Sequence, residues 1–270
     1  MSELASELRD YLCEYVSRLE HPVLCPLSGG VDSHSLLFAC LETKTPVSAI
    51  SFMLDGVMST DYSLARRSAR QHNVEFISLI LPKDTYTILN DVKSLIRLGC
   101  RKKTDIECCF PFKYVAPFSK DFPSVISGYR ADVYFGLSKN AAMSGCMKDV
   151  NALNAYRAKA FSSPLVQPKV IQKMLDKTGA KYYCPYASDQ VRSMFHNRTW
   201  VELNKPKQKQ PIRSTFQKYF SKTKLKPHSN LQLGDSKISE QFKRLLLDKT
   251  INQRSHKSVV GLYNELAKSN

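Results

Sequence analysis

Apolar residues recur at three- and four-residue intervals over residues 3–20, where Leu4, Leu8, Tyr11, Leu12, Tyr15, Val16 and Leu19 would share one face, and this spacing predicts a helix. The rhythm then changes. "PVLCPL" (22–27), "VSAISFML" (47–54) and "VEFISLIL" (74–81) are continuous apolar runs, short enough for strands buried on both faces. Between them "DSHSLLFACLE" (32–42) and "DYSLARRSARQH" (61–72) return to helical spacing. Strands alternating with helices predict a parallel sheet with right-handed crossovers, the α/β class. A fourth strand is expected at "PSVIS" (123–127), after a helical segment and an irregular, cysteine-bearing loop around 99–112. Beyond Ala131 strand signals fade, and helical patterns near 148–160, 168–177, 188–196, 211–219, 237–248 and 254–267 predict a mostly helical second half. The expected organisation is an α/β core over 1–150 and a helical, basic part over 151–270.

Composition narrows the class. No apolar run approaches the roughly 20 residues of a membrane span, and the amino end "MSELASELRD" carries acids where a signal peptide would carry basic and then apolar residues. A cytoplasmic protein with no membrane partner is expected, and its eight cysteines are expected as reduced thiols. Cys100, Cys108 and Cys109 cluster, but their spacing fits no familiar metal site. The formal net charge of +16 attracts polyanions, and the excess is concentrated at the carboxyl end, where residues 201–270 hold fifteen basic and five acidic side chains. Lys205, Lys207 and Lys209 are the expected contacts if that region binds nucleic acid.

The candidate chemistry lies in "PLSGGVDSHS" (26–35), between the first strand and its helix. In an open parallel sheet ligands bind beyond the carboxyl ends of the strands, where such loops sit. Gly29 and Gly30 allow unusual backbone conformations and close approach of main-chain N–H groups to an anion. Ser28, Ser33 and the positive end of the helix dipole add to the same spot, so a phosphate is the natural guest. Asp32 would repel a bare phosphate, which points to a divalent cation between them. A glycine turn with Asp32 as a helix cap is the plainer alternative.

The whole string resembles S-G-G-x-D-S, the pyrophosphate-binding loop of the PP-loop ATP pyrophosphatases, and the G-x-x-x-x-G-K-[ST] P-loop is absent. The resemblance implies a HUP-like (adenine nucleotide alpha hydrolase) core, ATP and Mg2+ as cofactors, and cleavage between the α- and β-phosphates. Within that superfamily "ISFMLDGVMSTDYSLARRSARQHNVEFISLIL" (50–81) and "ISGYRADVYFG" (126–136) are similar to stretches of the asparagine synthetases and β-lactam synthetases, the second matching roughly S-G-x-G-A-D-E-x-F-G-G. This match implies Ser127 and Gly128 against the nucleotide phosphates and Asp132 as the second magnesium carboxylate opposite Asp32; an ordinary helix cap is the alternative for Asp132. Tyr129 stands where asparagine synthetases carry a catalytic Glu, and is expected to take part in general base catalysis, as in β-lactam synthetase-like relatives. Arg130 replaces a small residue and Tyr134 a usual acid.

Further on, "CPYASDQVRSMF" (184–195) resembles the family's P-L-x-D-x-x-V helix and "KQPIRSTFQKYF" (209–220) its K-x-x-L-R-x-A segment. "KTKLKPHS" (222–229) falls where these enzymes have an R-x-K loop, which implies Lys224 as the lysine that stabilises the adenylate-forming transition state, with Lys222 at the arginine position. A solvated surface loop is the alternative, and the lysine-rich stretch leaves the register open by two residues. Glutamine-using members carry a glutaminase domain before the synthetase part. About twenty residues precede the loop here, so free ammonia, an amine substrate or a separate amidotransferase is expected to supply any nitrogen. The expected function is AMP- and pyrophosphate-forming activation of a carboxylate or carbonyl oxygen for attack by nitrogen, the second half completing the active site. Two other readings stay open: adenylation of a base in tRNA or DNA, and a nucleotide-binding regulator that has lost catalysis. The acceptor is expected to be a small molecule or a nucleic acid.

Overall fold

The computed structural model describes residues 2–227 and 235–268. Five strands, β1 (Val23–Pro26), β2 (Val47–Leu54), β3 (Glu75–Leu81), β4 (Ser124–Ile126) and β5 (Lys181–Tyr183), pair in parallel in the order β3-β2-β1-β4-β5. The chain starts at the centre of the sheet, builds outward to β3, then returns to the other side of β1. Loops leaving the adjacent strands β1 and β4 therefore part in opposite directions, which opens a crevice at their carboxyl ends.

Side-chain alternation explains why the sheet is covered on both faces. Val23, Cys25, Ala49 and Ile126 point into one apolar cluster, and their neighbours Leu24, Ile50 and Val125 into a second. The first cluster is closed by α1 (Glu3–Ser17), α2 (Val31–Glu42) and α3 (Thr60–Gln71); the second by α4 (Thr85–Leu98) and α5 (Lys103–Val115). The later helices are α6 (Lys139–Met143), α7 (Val150–Ser162), α8 (Val166–Leu175), α9 (Asp189–Met194), α10 (Trp200–Asn204), α11 (Gln210–Thr215), α12 (Gln217–Phe220), α13 (Ile238–Arg244) and α14 (Val259–Lys268). Both clusters draw on both halves of the chain: Phe195, Leu203 and Ile212 join the first, Ile171, Phe242 and Tyr263 the second.

Two elements depart from the sequence pattern. The expected irregular loop at 99–112 is mostly helix: α5 begins at Lys103 and carries Pro111 inside it. It buries Ile106, Glu107, Cys109, Phe110 and Pro111, so apolar and polar residues do not sort onto two faces and the helical period is masked. β5 was hidden for another reason. A three-residue edge strand is too short for either periodicity to register.

Candidate active site

The loop between β1 and α2 is built by its serines. Ser33 Oγ accepts from Ser28 N (3.1 Å) and contacts Ser28 Oγ (3.2 Å), which itself accepts from Gly30 N (3.2 Å). Gly30 takes the helix-capping position of α2 without a side-chain cap. The first-turn N–H groups of this twelve-residue helix are left to an outside acceptor, the arrangement that binds anions. His34 braces the loop from beneath: burial pushes its imidazole down to about 4, so the ring is neutral and Nδ1 donates to Gly30 O over 2.8 Å. The glycines serve by size rather than by unusual conformation. Neither Gly29 nor Gly30 has a positive φ, but a Cβ on Gly29 would lie 3.0 Å from Leu64 Cδ1, and one on Gly128 2.9 Å from Asp32 Cβ. Gly128 thus lets the loop after β4 close against the start of α2.

That approach brings Asp132, in the 3₁₀ turn after β4, to Asp32, and the Lys209 ammonium joins them. It lies 2.6 Å from Asp32 Oδ2 and also contacts Asp132 Oδ1. The Lys209 side chain is only 4% exposed, whereas that of Asp132 is 52% exposed. An ammonium that deep persists only with paired anions. Burial works against its charge, but the two carboxylates outweigh burial and hold its pKa above the ordinary lysine value. Asp32 is drawn the other way: burial raises its carboxyl, the Lys209 charge pulls it back, and neighbouring Asp132 adds to the rise. The lysine is fixed by its backbone, which adopts φ 60° at the amino end of α11 and donates from N to Asn204 Oδ1 (3.3 Å). Asn204 Nδ2 in turn donates to Phe135 O (3.0 Å), tying the lysine to the turn that carries Asp132. Lys209 is therefore not part of an exposed basic surface as the charge pattern predicts; only Lys205 and Lys207 of that trio are exposed. The signal that could have found it is the K-x-x-L-R resemblance, which begins at this residue.

In the loop after β4, Ser127 Oγ lies 2.6 Å from Tyr182 Oη, and Ser127 N donates to Tyr183 O (2.9 Å). Tyr129 is half-buried, and burial raises its pKa against the opposing influence of Arg130. That shift disfavours the phenolate. Arg130 adopts φ 70°, a left-handed conformation, which explains why the family pattern has a small residue there. The guanidinium holds it in place by donating to Ser163 O (2.8 Å) and Phe161 O (3.4 Å) and lying 4.9 Å from the Phe161 ring centre. Arg130→Gly and Arg130→Ala lose the same contacts, so Arg130→Gly is expected to be the more stable by about 1 kcal/mol, the left-handed penalty of a Cβ. Urea unfolding of the pair measures the difference. By the spacing of the family pattern the usual acid falls on Val133 rather than Tyr134; Tyr134 is wholly buried and donates to Tyr186 O (2.6 Å), a packing role.

A strap formed by residues 222–227 crosses the loop. Lys226 N donates to Gly29 O (3.0 Å), and its ammonium pairs with Asp61 Oδ2, while Asp61 Oδ1 accepts from Gly29 N (2.8 Å). Asp61, buried in the first turn of α3, thus links strap and loop, and neither Asp61 nor Lys226 stood out in the sequence as a contact of the loop. Lys224 is exposed. Of Lys222, Lys224 and Lys226 it is Lys226 that reaches the loop, so Lys226→Ala is expected to lower turnover more than Lys224→Ala. Steady-state rates of both variants decide the order; the reverse order would favour Lys224.

A cavity of about 270 Å³ opens beside these groups at the carboxyl ends of β1, β2 and β4. Ser28, Asp32, Ser33, Ser127, Gly128 and Tyr129 form its polar wall, and Phe52, Cys108, Pro111, Phe112, Ile171 and Tyr182 its largely apolar one. This is near the lower end, about 300 Å³, of pockets that take small ligands. Among the described residues no group of three or more His, Cys, Asp or Glu side chains could hold a metal on its own. Asp32 Oδ1, however, is buried without a hydrogen-bond partner, and Mg2+ is commonly held by one or two carboxylates together with substrate phosphates. Asp32 and Asp132 fit such an ion.

The strand order and the site at its crevice define a HUP-like α/β fold with a PP-loop. Residues 7–231 match the asparagine synthase family model, and the chain belongs to that family, within the PP-loop ATP pyrophosphatase superfamily. Among solved structures it is similar to NMN synthetase from Francisella tularensis, with 16% identity and a TM-score of 0.39 over 85% of this chain and 98% of that one. It is also similar to the U34-tRNA thiolase NcsA from Methanococcus maripaludis with its [4Fe-4S] cluster, with 16% identity and a TM-score of 0.40 over 99% and 78%. No curated protein sequence matches the chain. Family membership assigns an ATP-using activity of the adenylating type. Among the described residues no helix is long and apolar enough to cross a membrane.

Proposed function

We propose that the protein uses ATP to adenylate a carboxylate or carbonyl oxygen, releases pyrophosphate, and passes the activated group to a nitrogen nucleophile as AMP departs. The observation that carries this reading is the Lys209 ammonium held between Asp32 and Asp132, beside the uncapped start of α2 and the serine-built loop. Phosphate oxygens would be held by the α2 N–H groups, Ser28 and Ser33, with Ser127 and Gly128 on the facing wall. Mg2+ held by Asp32 and Asp132 would neutralise the charge that collects on the departing pyrophosphate. Lys209 adds a fixed, desolvated positive charge on the same two carboxylates while Asp32 Oδ1 is left for the ion, and it favours the transition state over bound ATP. Tyr129 faces the cavity where acceptor and nucleophile would meet. With its pKa raised, it suits a hydrogen bond to the acceptor better than proton removal. The nitrogen would come from free ammonia, an amine substrate or a separate amidotransferase.

An acceptor labelled with heavy oxygen tests the reading. Adenylation transfers one labelled oxygen from the acceptor to AMP, which mass spectrometry detects. Unlabelled AMP formed at the rate of product would rule out an adenylated intermediate.

A further inference from the structure

We infer that the outer face of α3 and the adjoining strap form a nucleic-acid-binding ridge that leads to the phosphate loop. The acceptor would then be a nucleic acid or be carried on one, an assignment of purpose that rests on the adenylating function proposed above. α3 buries Tyr62, Leu64, Ala65, Ser68 and Ala69 and turns Arg66, Arg67 and Arg70 to solvent. Among the described residues none of the three arginines is paired with an acid. Several other surface cations are neutralised locally: Arg9 and Lys218 share Glu42, Arg18 meets Glu14, Lys113 meets Asp91 and Arg192 meets Asp189.

The strap extends this charge toward the site. Gln71 Nε2 donates to Lys222 O (2.8 Å) and His72 Nε2 lies 3.0 Å from Thr223 Oγ1, so the exposed Lys222 and Lys224 run beside the carboxyl end of α3. Arg67 is one helical turn before Gln71 and faces the same side. Two residues past Lys224, the strap is hydrogen-bonded to Gly29 of the phosphate loop. Five cations thus form a strip that ends at the site.

The chemistry favours nucleic acid over a lipid surface. Arginine forks match phosphate oxygens, whereas membrane-surface helices set large apolar side chains beside their basic ones. The exposed large apolar residues, such as Met58, Ile80, Tyr86 and Leu247, all lie outside residues 60–72 and 221–227.

The test is anisotropy of fluorescein-labelled transfer RNA and single-stranded DNA with the full chain, without ATP, across about 50–200 mM salt. Contacts from all five cations give a slope of log affinity against log salt of about −4. The triple variant Arg66→Gln, Arg67→Gln, Arg70→Gln should reduce that slope by about 3, with an unchanged melting temperature because all three side chains are exposed. Asp32→Asn should bind as the wild type does. Wild-type binding that is absent at about 50 mM salt, or a triple variant with the wild-type slope, overturns the ridge. Tighter binding to vesicles of anionic phospholipid than to either nucleic acid assigns it to membranes instead. If binding behaves as expected but no AMP is formed from ATP in the presence of the bound nucleic acid, the ridge stands and the assignment of that nucleic acid as acceptor fails, whereas the adenylating reading is tested separately by the heavy-oxygen label.

Discussion

Lys209→Ala is expected to destabilise the protein by about 3–5 kcal/mol, the range for removing one partner of a buried ion pair. The ammonium is nearly inaccessible and faces two carboxylates, so its loss leaves Asp32, whose side chain is 18% exposed, beside a like charge with one buried oxygen already unpartnered. Asp132 contributes the smaller part, because its side chain is half exposed and water screens it. Lys209→Met fills more of the vacated volume but restores no charge, and should lose nearly as much. Equilibrium unfolding in urea measures both variants. A loss of less than about 1 kcal/mol, the scale of an exposed ion pair, would mean that Lys209 does not hold the two loops together.

Asp32→Asn should have the opposite balance, with modest loss of stability and a large loss of turnover. The amide keeps the shape of the carboxylate but brings neither the charge that fixes Lys209 nor a good oxygen ligand for Mg2+. Its effect should be about a hundredfold or more on kcat, the scale of losing one preorganised charge stabiliser. Asp132→Asn should fall in the same direction. Steady-state rates at saturating ATP and Mg2+ give the comparison, and an unchanged kcat for Asp32→Asn would place the chemistry elsewhere.

Legibility followed sequence distance. The first three strands, their helices and the loop at 26–35 are local patterns, and they fold close to where apolar periodicity and the S-G-G-x-D-S string place them. Lys209 meets Asp32 across 177 positions, and charge alone does not separate it from the exposed Lys205 and Lys207; only the K-x-x-L-R resemblance that begins at it does. Its character comes from a left-handed turn and the burial around it. The same holds for Lys226, since only the packing of Gly29 against Leu64, Asp61 and the strap selects it from a run of similar lysines. Arg130 shows the reverse case. The sequence marks it as a departure from a small residue, and the structure supplies the reason, a positive φ with anchors that offset it.

On the proposed function, the carboxylates and lysine at this crevice direct cleavage between the α- and β-phosphates of ATP. The direct measurement is chromatographic separation of products from ATP labelled at the α- and γ-phosphates, incubated with the protein, Mg2+ and extracts that supply acceptor and ammonia. Label from the α position should appear in AMP and label from the γ position in pyrophosphate, both lost together in Asp32→Asn. ADP and inorganic phosphate as the main products, lost in the same variant, would contradict the account.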